Sequence, residues 1–285
     1  MENIGVLGLG LIGGSLALAL QQAGIAKQIS GYDADPNATR RAFAREAITQ
    51  ICTTVEEAVQ QADMVVLATP ILAMPELFGR LAPVLKPGAL VTDTASTKAK
   101  VLTWAKTLLP ADVVFVGGHP MAGKEYSGIE AAEADLFEGC TYCLTPTAQT
   151  PPDALAQLSE IVIRLGAHPL TLDVEQHDYL VAGISHLPFV LSSTLVQALG
   201  KGEDWSEMTR LAAGGFRDMS RLAAGNPRMY RDICLTNKEA ILSWLDALTQ
   251  QLDSVRSLIT QGDDELEPYL AQAKQIRQAV TGQLI

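Results

Sequence analysis

A histidine at the end of a predicted strand is the residue of this sequence most suited to proton transfer. The apolar run Val113–Val116 predicts a buried strand, and Gly117 and Gly118 indicate its end. His119 follows, and Pro120 after it favours an extended backbone at the histidine. Ligands of open α/β sheets bind outside the carboxyl ends of strands, where a histidine can act as a general base. The alternative is a histidine that only caps the end of the strand.

A glycine-rich segment near the amino terminus indicates the binding of a dinucleotide. Gly8–Gly13 has the pattern GxGxxG and lies between a predicted strand and a predicted helix that ends near Gly24. The glycines allow a tight turn and a close approach to a pyrophosphate, and the helix amino terminus offers free N–H groups to phosphates. The alternative is a glycine-rich structural turn. The candidate cofactor-binding residues here and at the end of a later strand are Gly8, Gly10, Leu11, Ile12, Gly13, Thr69 and Pro70.

Asp33 indicates which dinucleotide is preferred. It follows the second predicted strand, residues 28–32, at the position where a carboxylate accepts a hydrogen bond from the ribose 2′-hydroxyl of NAD. The same carboxylate repels the 2′-phosphate of NADP. Arg40 and Arg41, in the next predicted helix, could weaken that preference. The sequence therefore predicts NAD, with NADP as the alternative.

The elements that must position these residues alternate between strand and helix up to residue 172. This pattern predicts an α/β fold with a doubly wound parallel sheet of the Rossmann type. It includes a predicted helix over 128–136, and from 173 onward only helical periodicity is found. We therefore expect a dinucleotide-binding domain over 1–172 and an all-α substrate-binding and dimerisation domain over 173–285. Long apolar helix faces, such as that of 174–200, predict a homodimer formed through the carboxyl-terminal helices.

Two further polar side chains each have two interpretations. Ser96 follows the predicted strand 89–93, and its hydroxyl could fix the tautomer of His119 or cap the helix that begins near Lys98. His186 precedes Pro188, which should kink the long helix, and kinks have local causes that often coincide with sites. His186 could line the cleft or be a buried structural histidine.

The charge of the chain constrains its partners. A net charge of −11 argues against nucleic acids and anionic membrane surfaces. The segment around Arg217 and Arg221 is the one basic concentration, and arginine forks bind carboxylates with two hydrogen bonds. We therefore expect a small anionic substrate. The alternative is a set of surface arginines paired with Asp218 and Glu207.

Targeting and metal signals point to an ordinary cytoplasmic protein. The amino terminus lacks the basic and apolar regions of a signal peptide, and Gly, Pro, Gln or charged residues interrupt the richest apolar segments. We therefore expect no membrane span. Cys140 and Cys143 form a CxxC within a predicted strand, where packing is a better explanation than redox chemistry. No second ligand pair accompanies them, so no metal site is predicted.

Taken together, these segments resemble the prephenate/arogenate dehydrogenase family, the cyclohexadienyl dehydrogenases of tyrosine biosynthesis. The resemblance covers nearly the whole chain, and the stretches that carry it are Gly8–Gly13, Asp93–Lys98, Gly118–Gly123, Ser185–Pro188 and Gly215–Arg221. It implies NAD(P)-dependent oxidative decarboxylation of prephenate or arogenate, to 4-hydroxyphenylpyruvate or tyrosine. It also implies a Rossmann domain followed by a helical dimerisation domain.

The resemblance further implies roles for individual residues. His119 would accept the proton of the substrate hydroxyl, and Ser96 would orient the imidazole ring of His119 beside the cofactor. Arg221, supported by Arg217, would hold a substrate carboxylate, and His186 would bind near the substrate side chain.

Two neighbouring residues of the predicted substrate loop are not explained by the family resemblance. Lys124 stands where some relatives carry a small hydroxyl residue. Glu125 could attract the ammonium group of arogenate, or it could be a solvated surface carboxylate.

Other activities are compatible with the same architecture. One alternative is another two-domain Rossmann dehydrogenase, such as a β-hydroxyacid dehydrogenase or an imine reductase. Another is a non-catalytic dinucleotide-binding protein. The other dehydrogenases would be expected to rely on a lysine in the helical domain or on no histidine base. A non-catalytic protein has no evident use for Ser96, His119 and the arginine pair together.

Overall fold

The fold is built on one sheet with helices on both sides. The computed structural model describes residues 1–124, 126–262 and 264–280. The strands in that part of the chain are β1 (Asn3–Leu7), β2 (Gln28–Tyr32), β3 (Gln50–Ile51), β4 (Met64–Leu67), β5 (Leu90–Asp93), β6 (Val114–Pro120), β7 (Thr141–Thr145) and β8 (His168–Thr171).

Helices connect most of these strands and make up the rest of the described chain. They are α1 (Leu11–Gln22), α2 (Pro36–Ala44), α3 (Val55–Val59), α4 (Met74–Leu81), α5 (Ala99–Leu108), α6 (Pro152–Arg164), α7 (Val174–Val181), α8 (Leu187–Gly200), α9 (Trp205–Leu211), α10 (Gly214–Ser220), α11 (Pro227–Thr236), α12 (Lys238–Gln261) and α13 (Leu266–Ala279). Shorter turns are the 3-10 segments Ile71–Ala73, Ile129–Ala131 and Arg221–Ala224, and the π-helical turn Ala182–His186.

The predicted Rossmann fold class is confirmed. The strand order is β3-β2-β1-β4-β5-β6-β7-β8, and β1 pairs in parallel with both β2 and β4. The order therefore reverses beside β1, which is where such sheets bind their ligands. Strands β4 and β5 are buried along their whole length, as expected for parallel strands with helices on both faces.

One pair of strands departs from the predicted all-parallel sheet. β6 and β7 run antiparallel, with His119 opposite Cys143. The predicted helix over 128–136 is wrong, because only the 3-10 turn Ile129–Ala131 forms there. Without a crossover helix, the chain returns from the end at which β6 finishes, and the next strand runs back beside it.

The long helix around Pro188 is continuous. The π-helical turn Ala182–His186 joins α7 to α8, and Pro188 lies in the first turn of α8, where its missing N–H is tolerated. The helix 174–200 is therefore long and apolar enough to cross a membrane, and the expectation that no segment reaches that length is wrong. One such helix is weak evidence of a membrane span, because interface and core helices meet the same criterion.

The chain forms two compact units, residues 1–238 and 239–285. The first contains the whole sheet and α1–α11. The second contains most of α12 and the described part of α13, and its exposed apolar side chains are Leu242, Leu252, Ile259, Leu270 and Ile276. The predicted domain boundary between residues 172 and 173 remains a prediction.

Candidate active site

The three glycines of the glycine-rich loop differ in why a side chain would not fit or is not needed. Gly8 has a φ of 89°, and a Cβ there would lie 2.3 Å from the carbonyl oxygen of Ala68. A Cβ at Gly13 would lie 1.9 Å from the carbonyl oxygen of Gly8. At Gly10, in contrast, a Cβ would have no atom of the described chain within 4 Å. Gly8 and Gly13 are therefore required for packing, while Gly10 leaves open space before the first turn of α1.

Asp33 is held in place beside this loop by backbone donors. The backbone N–H of Leu9 donates to Asp33 Oδ2 over 2.7 Å, and that of Asp35 donates to Oδ1 over 2.8 Å. The carboxylate therefore has a fixed orientation at the end of β2, as a ribose acceptor requires. Leu11 and Ile12, also predicted to contact the cofactor, form the first turn of α1 and are half-buried.

The end of β4 completes the dinucleotide side of the site. Thr69 and Pro70 follow β4, and the Thr69 methyl group lies 3.1 Å from where a Gly8 Cβ would be. The hydroxyl oxygen of Thr69 is buried and has no hydrogen-bond partner among the described residues. An orphaned hydroxyl, an open space at Gly10 and a fixed carboxylate at Asp33 together fit a dinucleotide such as NAD.

His119 lies at the carboxyl end of β6 with 7 % of its surface exposed. Burial holds the pKa of His119 well below its ordinary value, and the charges of His177, Lys98 and His186 act in the same direction. The imidazole is therefore neutral near neutral pH. A neutral imidazole can accept a proton, so the predicted base has the required protonation state.

His177 contacts this histidine and Asp178 contacts His177, and neither residue is predicted from the sequence. His119 Nδ1 and His177 Nε2 are 2.9 Å apart, and His177 Nδ1 lies 2.8 Å from Asp178 Oδ1. Asp178 also accepts the backbone N–H groups of Lys98 and Ala99, over 2.8 and 2.9 Å. No sequence signal indicates Asp178, because Ser96 and Thr97 precede α5 and both are residue types that cap helices; in the structure, however, neither caps α5.

Ser96 lies between β5 and α5 and has neither of its expected contacts in this structure. The Nδ1 atom of His119 is paired with His177, and the cap of α5 is supplied by Asp178. The backbone of Ser96 instead lies near His186 and acts to raise the pKa of that histidine against the effect of burial. The role of the Ser96 hydroxyl toward substrate and cofactor remains a prediction.

A buried ion pair fixes the backbone before His119. The Lys98 ammonium donates to the Asp93 carboxylate and, over 2.7 Å, to the carbonyl oxygen of Gly118. The N–H of Gly118 donates to Asp93 Oδ1 over 3.1 Å. Burial lowers the pKa of Lys98, and Asp93 opposes this by favouring the charged form. The strand end is therefore clamped between β5 and α5.

His186 ends the π-helical turn and is 1 % exposed. The Asn237 side chain donates to His186 Nδ1 over 3.3 Å and to the carbonyl oxygen of Asp178 over 2.7 Å. Burial lowers the pKa of His186 to about 4, so the ring is neutral and its other nitrogen carries the hydrogen. That nitrogen, Nε2, is buried and makes no hydrogen bond of ordinary geometry in the described chain, although the backbone of Ser96 is close enough to raise the pKa of the ring, so Nε2–H can donate to a ligand.

The predicted substrate arginines are placed differently from the histidines. Arg217 lies in α10 and Arg221 directly after it, and both are exposed. Burial raises the pKa of Tyr230, and the charge of Arg221 opposes this, so these two residues are neighbours. Tyr230 also lines a cavity of about 410 Å³ between α8 and α11. Among the described residues, the groups whose charges act on the pKa of His119 are His177, Lys98 and His186, and neither arginine is one of them.

The loop after β6 contains the last two predicted residues. Lys124 forms an ion pair with Glu133, which draws its charge toward the following segment. Glu125 lies outside the described residues.

Comparison with known proteins agrees with this arrangement. A family model described as the nucleotide-binding domain of prephenate dehydrogenase matches residues 16–171, and one described as its dimerization domain matches residues 173–280. The prephenate dehydrogenase of Bacillus subtilis is 37% identical over 279 residues, covering 97% of this chain and 75% of the relative.

Solved structures give the same result. Synechocystis arogenate dehydrogenase is 36% identical with a TM-score of 0.84, covering 98% of this chain and 100% of its own. The prephenate dehydrogenase from A. aeolicus, solved with hydroxyphenyl propionate and NAD⁺, is 32% identical with a TM-score of 0.92 and covers 98% of both chains. This chain therefore belongs to the prephenate dehydrogenase family of NAD-dependent oxidoreductases.

Proposed function

We propose that the protein catalyses the oxidative decarboxylation of prephenate, arogenate or both, with NAD, in tyrosine biosynthesis. The observation that carries this proposal is the neutral, buried His119 at the same sheet edge as the glycine-rich loop. Relatives named for prephenate and for arogenate are both similar over nearly the whole chain, which supports the substrate class but not a choice within it.

In the proposed reaction, His119 accepts the proton of the substrate hydroxyl at C4 through its Nε2 atom. When bound, NAD supplies the acceptor for the hydrogen and electron pair that leave C4. The carboxyl group at C1 departs as carbon dioxide, and its bonding electrons complete the aromatic ring. The C4 oxygen takes its proton back from His119 and becomes the phenol hydroxyl. One substrate and one NAD therefore give one aromatic product, carbon dioxide and reduced NAD, with no net release of a proton.

The remaining polar residues are proposed to bind the anionic substrate. Arg221, with Arg217 in support, would hold a carboxylate, since a guanidinium fork matches two carboxylate oxygens. His186 would donate from its unpartnered Nε2–H, and Ser96 would hydrogen-bond at the reacting hydroxyl and the nicotinamide. Lys124 would shape the substrate loop.

Glu125 is proposed to favour the ammonium group of arogenate over the keto group of prephenate.

The cofactor residues are proposed to act as in other Rossmann sites. Backbone around Gly10 and Gly13 would receive the pyrophosphate, with Gly8, Leu11 and Ile12 shaping the loop. Asp33 would accept from the ribose, and Thr69 and Pro70 would line the cofactor at the end of β4.

The assembly is proposed to be a cytoplasmic homodimer with a domain boundary between residues 172 and 173. The match of residues 173–280 to a dimerization domain supports this, as do the exposed apolar side chains of the carboxyl-terminal helices. Light scattering after size-exclusion chromatography would give the mass in solution. A monomer at micromolar concentration would contradict the dimer.

The test of the activity is formation of reduced cofactor by purified protein. Prephenate and arogenate are each offered with NAD and with NADP, and the aromatic product is identified by mass spectrometry. We expect turnover with NAD and at least one substrate. A folded protein that binds NAD but is silent in all four mixtures would refute the proposed reaction.

A further inference from the structure

We infer that His177 and Asp178 are positioning residues that hold His119 in the tautomer with an unprotonated Nε2, ready to act as a base. The catalytic consequence rests on the proposed function, whereas the tautomer itself is a property of the protein alone. The inference comes from the three side chains in series, none of which was assigned this role by its sequence motif.

The series is continuous and buried. His119 Nδ1 lies 2.9 Å from His177 Nε2, and His177 Nδ1 lies 2.8 Å from Asp178 Oδ1. His177 is fully buried and Asp178 is 5 % exposed. The two imidazole rings meet edge to face, with an interplanar angle of 72° and centroids 5.2 Å apart. Both distances are those of ordinary hydrogen bonds.

The direction of each hydrogen bond follows from the chemistry of the last member. A carboxylate only accepts, so the Nδ1 atom of His177 must carry the hydrogen that it donates to Asp178. When His177 carries only this one ring hydrogen, its Nε2 is bare and can only accept. His119 must therefore donate from Nδ1, and a neutral His119 is left with a lone pair on Nε2. The tautomers are thus assigned from the acceptor at one end of the series.

The surroundings keep the carboxylate in place, and burial lowers the pKa of His119. Asp178 Oδ1 accepts from the backbone of Lys98, and Oδ2 accepts from that of Ala99 at the amino terminus of α5. The charged or titratable groups that face the series from neighbouring elements are Lys98 of the segment before α5, Asp93 of β5 and His186 of the π-helical turn. Lys98 is already paired with Asp93, so it does not compete for Asp178 through its ammonium group.

A helix cap alone does not explain the arrangement. Capping α5 requires only the two backbone hydrogen bonds to Asp178, yet His177 directs one nitrogen to the same carboxylate and the other to His119. When His119 Nε2 takes a proton, the Nδ1–H bond to His177 and the Asp178 charge behind it stabilise the cation. The arrangement follows the logic of a base oriented by a third group, here through an intervening imidazole.

The first experiment measures the tautomer directly, without substrate. Long-range ¹H–¹⁵N correlation spectra of the histidine rings distinguish protonated from bare ring nitrogens. Signals are assigned with His119→Asn, His177→Gln and His168→Gln variants. We expect His119 to be protonated on Nδ1 and bare on Nε2 at pH 7.5. A spectrum with the hydrogen on Nε2 would overturn the inference, whatever the enzyme does with prephenate or arogenate.

The second experiment compares two substitutions of His177. Glutamine has an acceptor for His119 and a donor for Asp178, while leucine has neither. His177→Leu should lower kcat by about 100-fold or more, within the range of general-base contributions, and His177→Gln should recover most of it. The dissociation constant for NAD should stay the same in both. Equal kcat values for the two variants, with unchanged thermal unfolding, would refute a positioning role.

His168→Gln is the matched control, since this histidine is exposed on β8 and lies outside the series. It should behave like the wild type in every assay. If the wild type turns over neither substrate while the spectra show the expected tautomer, the proposed function is refuted but the assignment of the His119 tautomer is supported.

Discussion

The sheet edge and the segment of helices from α9 to α11 hold their charged groups in opposite ways. At the edge, Lys98 and His177 are fully buried, and each has a partner on another element of the fold, Gly118 for Lys98 and His119 for His177. In the helices, Arg210 is exposed and pairs with Glu207 over 3.5 Å, and the exposed Arg231 pairs with its buried neighbour Asp232. The buried polar groups at the edge have hydrogen-bond partners on other elements, while the exposed arginines pair with residues close to them in sequence.

Burial explains this difference. A charged or polar group removed from water is costly without a partner, so the edge must supply defined hydrogen bonds. An exposed ion pair contributes little and leaves the side chain adjustable. Under the proposed function, this difference means that the geometry at the reacting atoms is built into the fold, whereas affinity for the anion depends on adjustable side chains. Substitutions at the edge should therefore change kcat, and those in the helices should change KM.

The largest effect should come from removing the base. His119→Asn keeps a polar side chain at the end of β6 but has no nitrogen lone pair to accept a proton. We expect kcat to fall by roughly 10²–10⁴-fold, the range typical of a general base, with NAD binding unchanged. Steady-state kinetics and NAD titration measure the two quantities. His168→Asn should leave both unchanged, and a His119→Asn variant with normal kcat would remove the distinction between the two regions.

Much of this edge could be predicted from local sequence. The spacing of Gly8–Gly13 has a single structural use between a strand and a helix, and the confirmed Rossmann fold follows from alternating periodicities. His119 was found because its strand and its proline are both local signals. The antiparallel direction of β7 is not predicted, because it depends on the segment that connects β6 to β7. The sequence of residues 128–136 has a helical pattern but forms only a 3-10 turn.

The partners of His119 were missed for a related reason. His177 and Asp178 are distant from His119 in sequence and reach it only because α7 packs beside the start of α5. Nothing in the pattern of α7 sets a buried imidazole apart from an exposed one. A pairing with Ser96 was expected instead, since Ser96 also follows a strand of the sheet. Contacts between elements require packing to be known, and single-sequence patterns do not contain it.

The next effect should be on substrate affinity. Arg221→Ala should raise KM for the anionic substrate by about tenfold to a hundredfold, because a hydrogen bond to a charged group contributes about 1.5–3 kcal/mol. The value of kcat should change much less than in His119→Asn. Arg210→Ala is the matched control, because Arg210 pairs with Glu207 on the surface and should leave KM unchanged. A loss confined to kcat in Arg221→Ala would place this arginine with the reacting groups instead.

A smaller change should appear in cofactor choice. Asp33→Asn retains the shape of the side chain but removes the charge that repels a 2′-phosphate. We expect the ratio of kcat/KM for NAD over NADP to fall roughly tenfold, the effect of one screened charge. Asp112→Asn, at an exposed carboxylate, is the control for total charge. An unchanged ratio in Asp33→Asn would mean that discrimination comes from other groups.

The smallest effect should be a pH dependence of stability that belongs to the buried edge. Burial lowers the pKa of His186 from 6.5 to about 4, so between these values the unfolded chain binds more protons than the folded one. The contribution is therefore fully present above pH 6.5 and is lost as the pH falls toward 4. The midpoint of urea unfolding should decrease over this interval.

In His186→Gln the decrease should be shallower, because the residue no longer titrates. In His168→Gln it should match the wild type, since this exposed residue belongs to neither region. Part of the decrease in the urea midpoint should remain in His186→Gln, because burial also lowers the pKa of His119. Parallel curves for the wild type and His186→Gln would show that water reaches the ring of His186. This histidine would then belong with the exposed, adjustable side chains and not with the buried edge of the sheet.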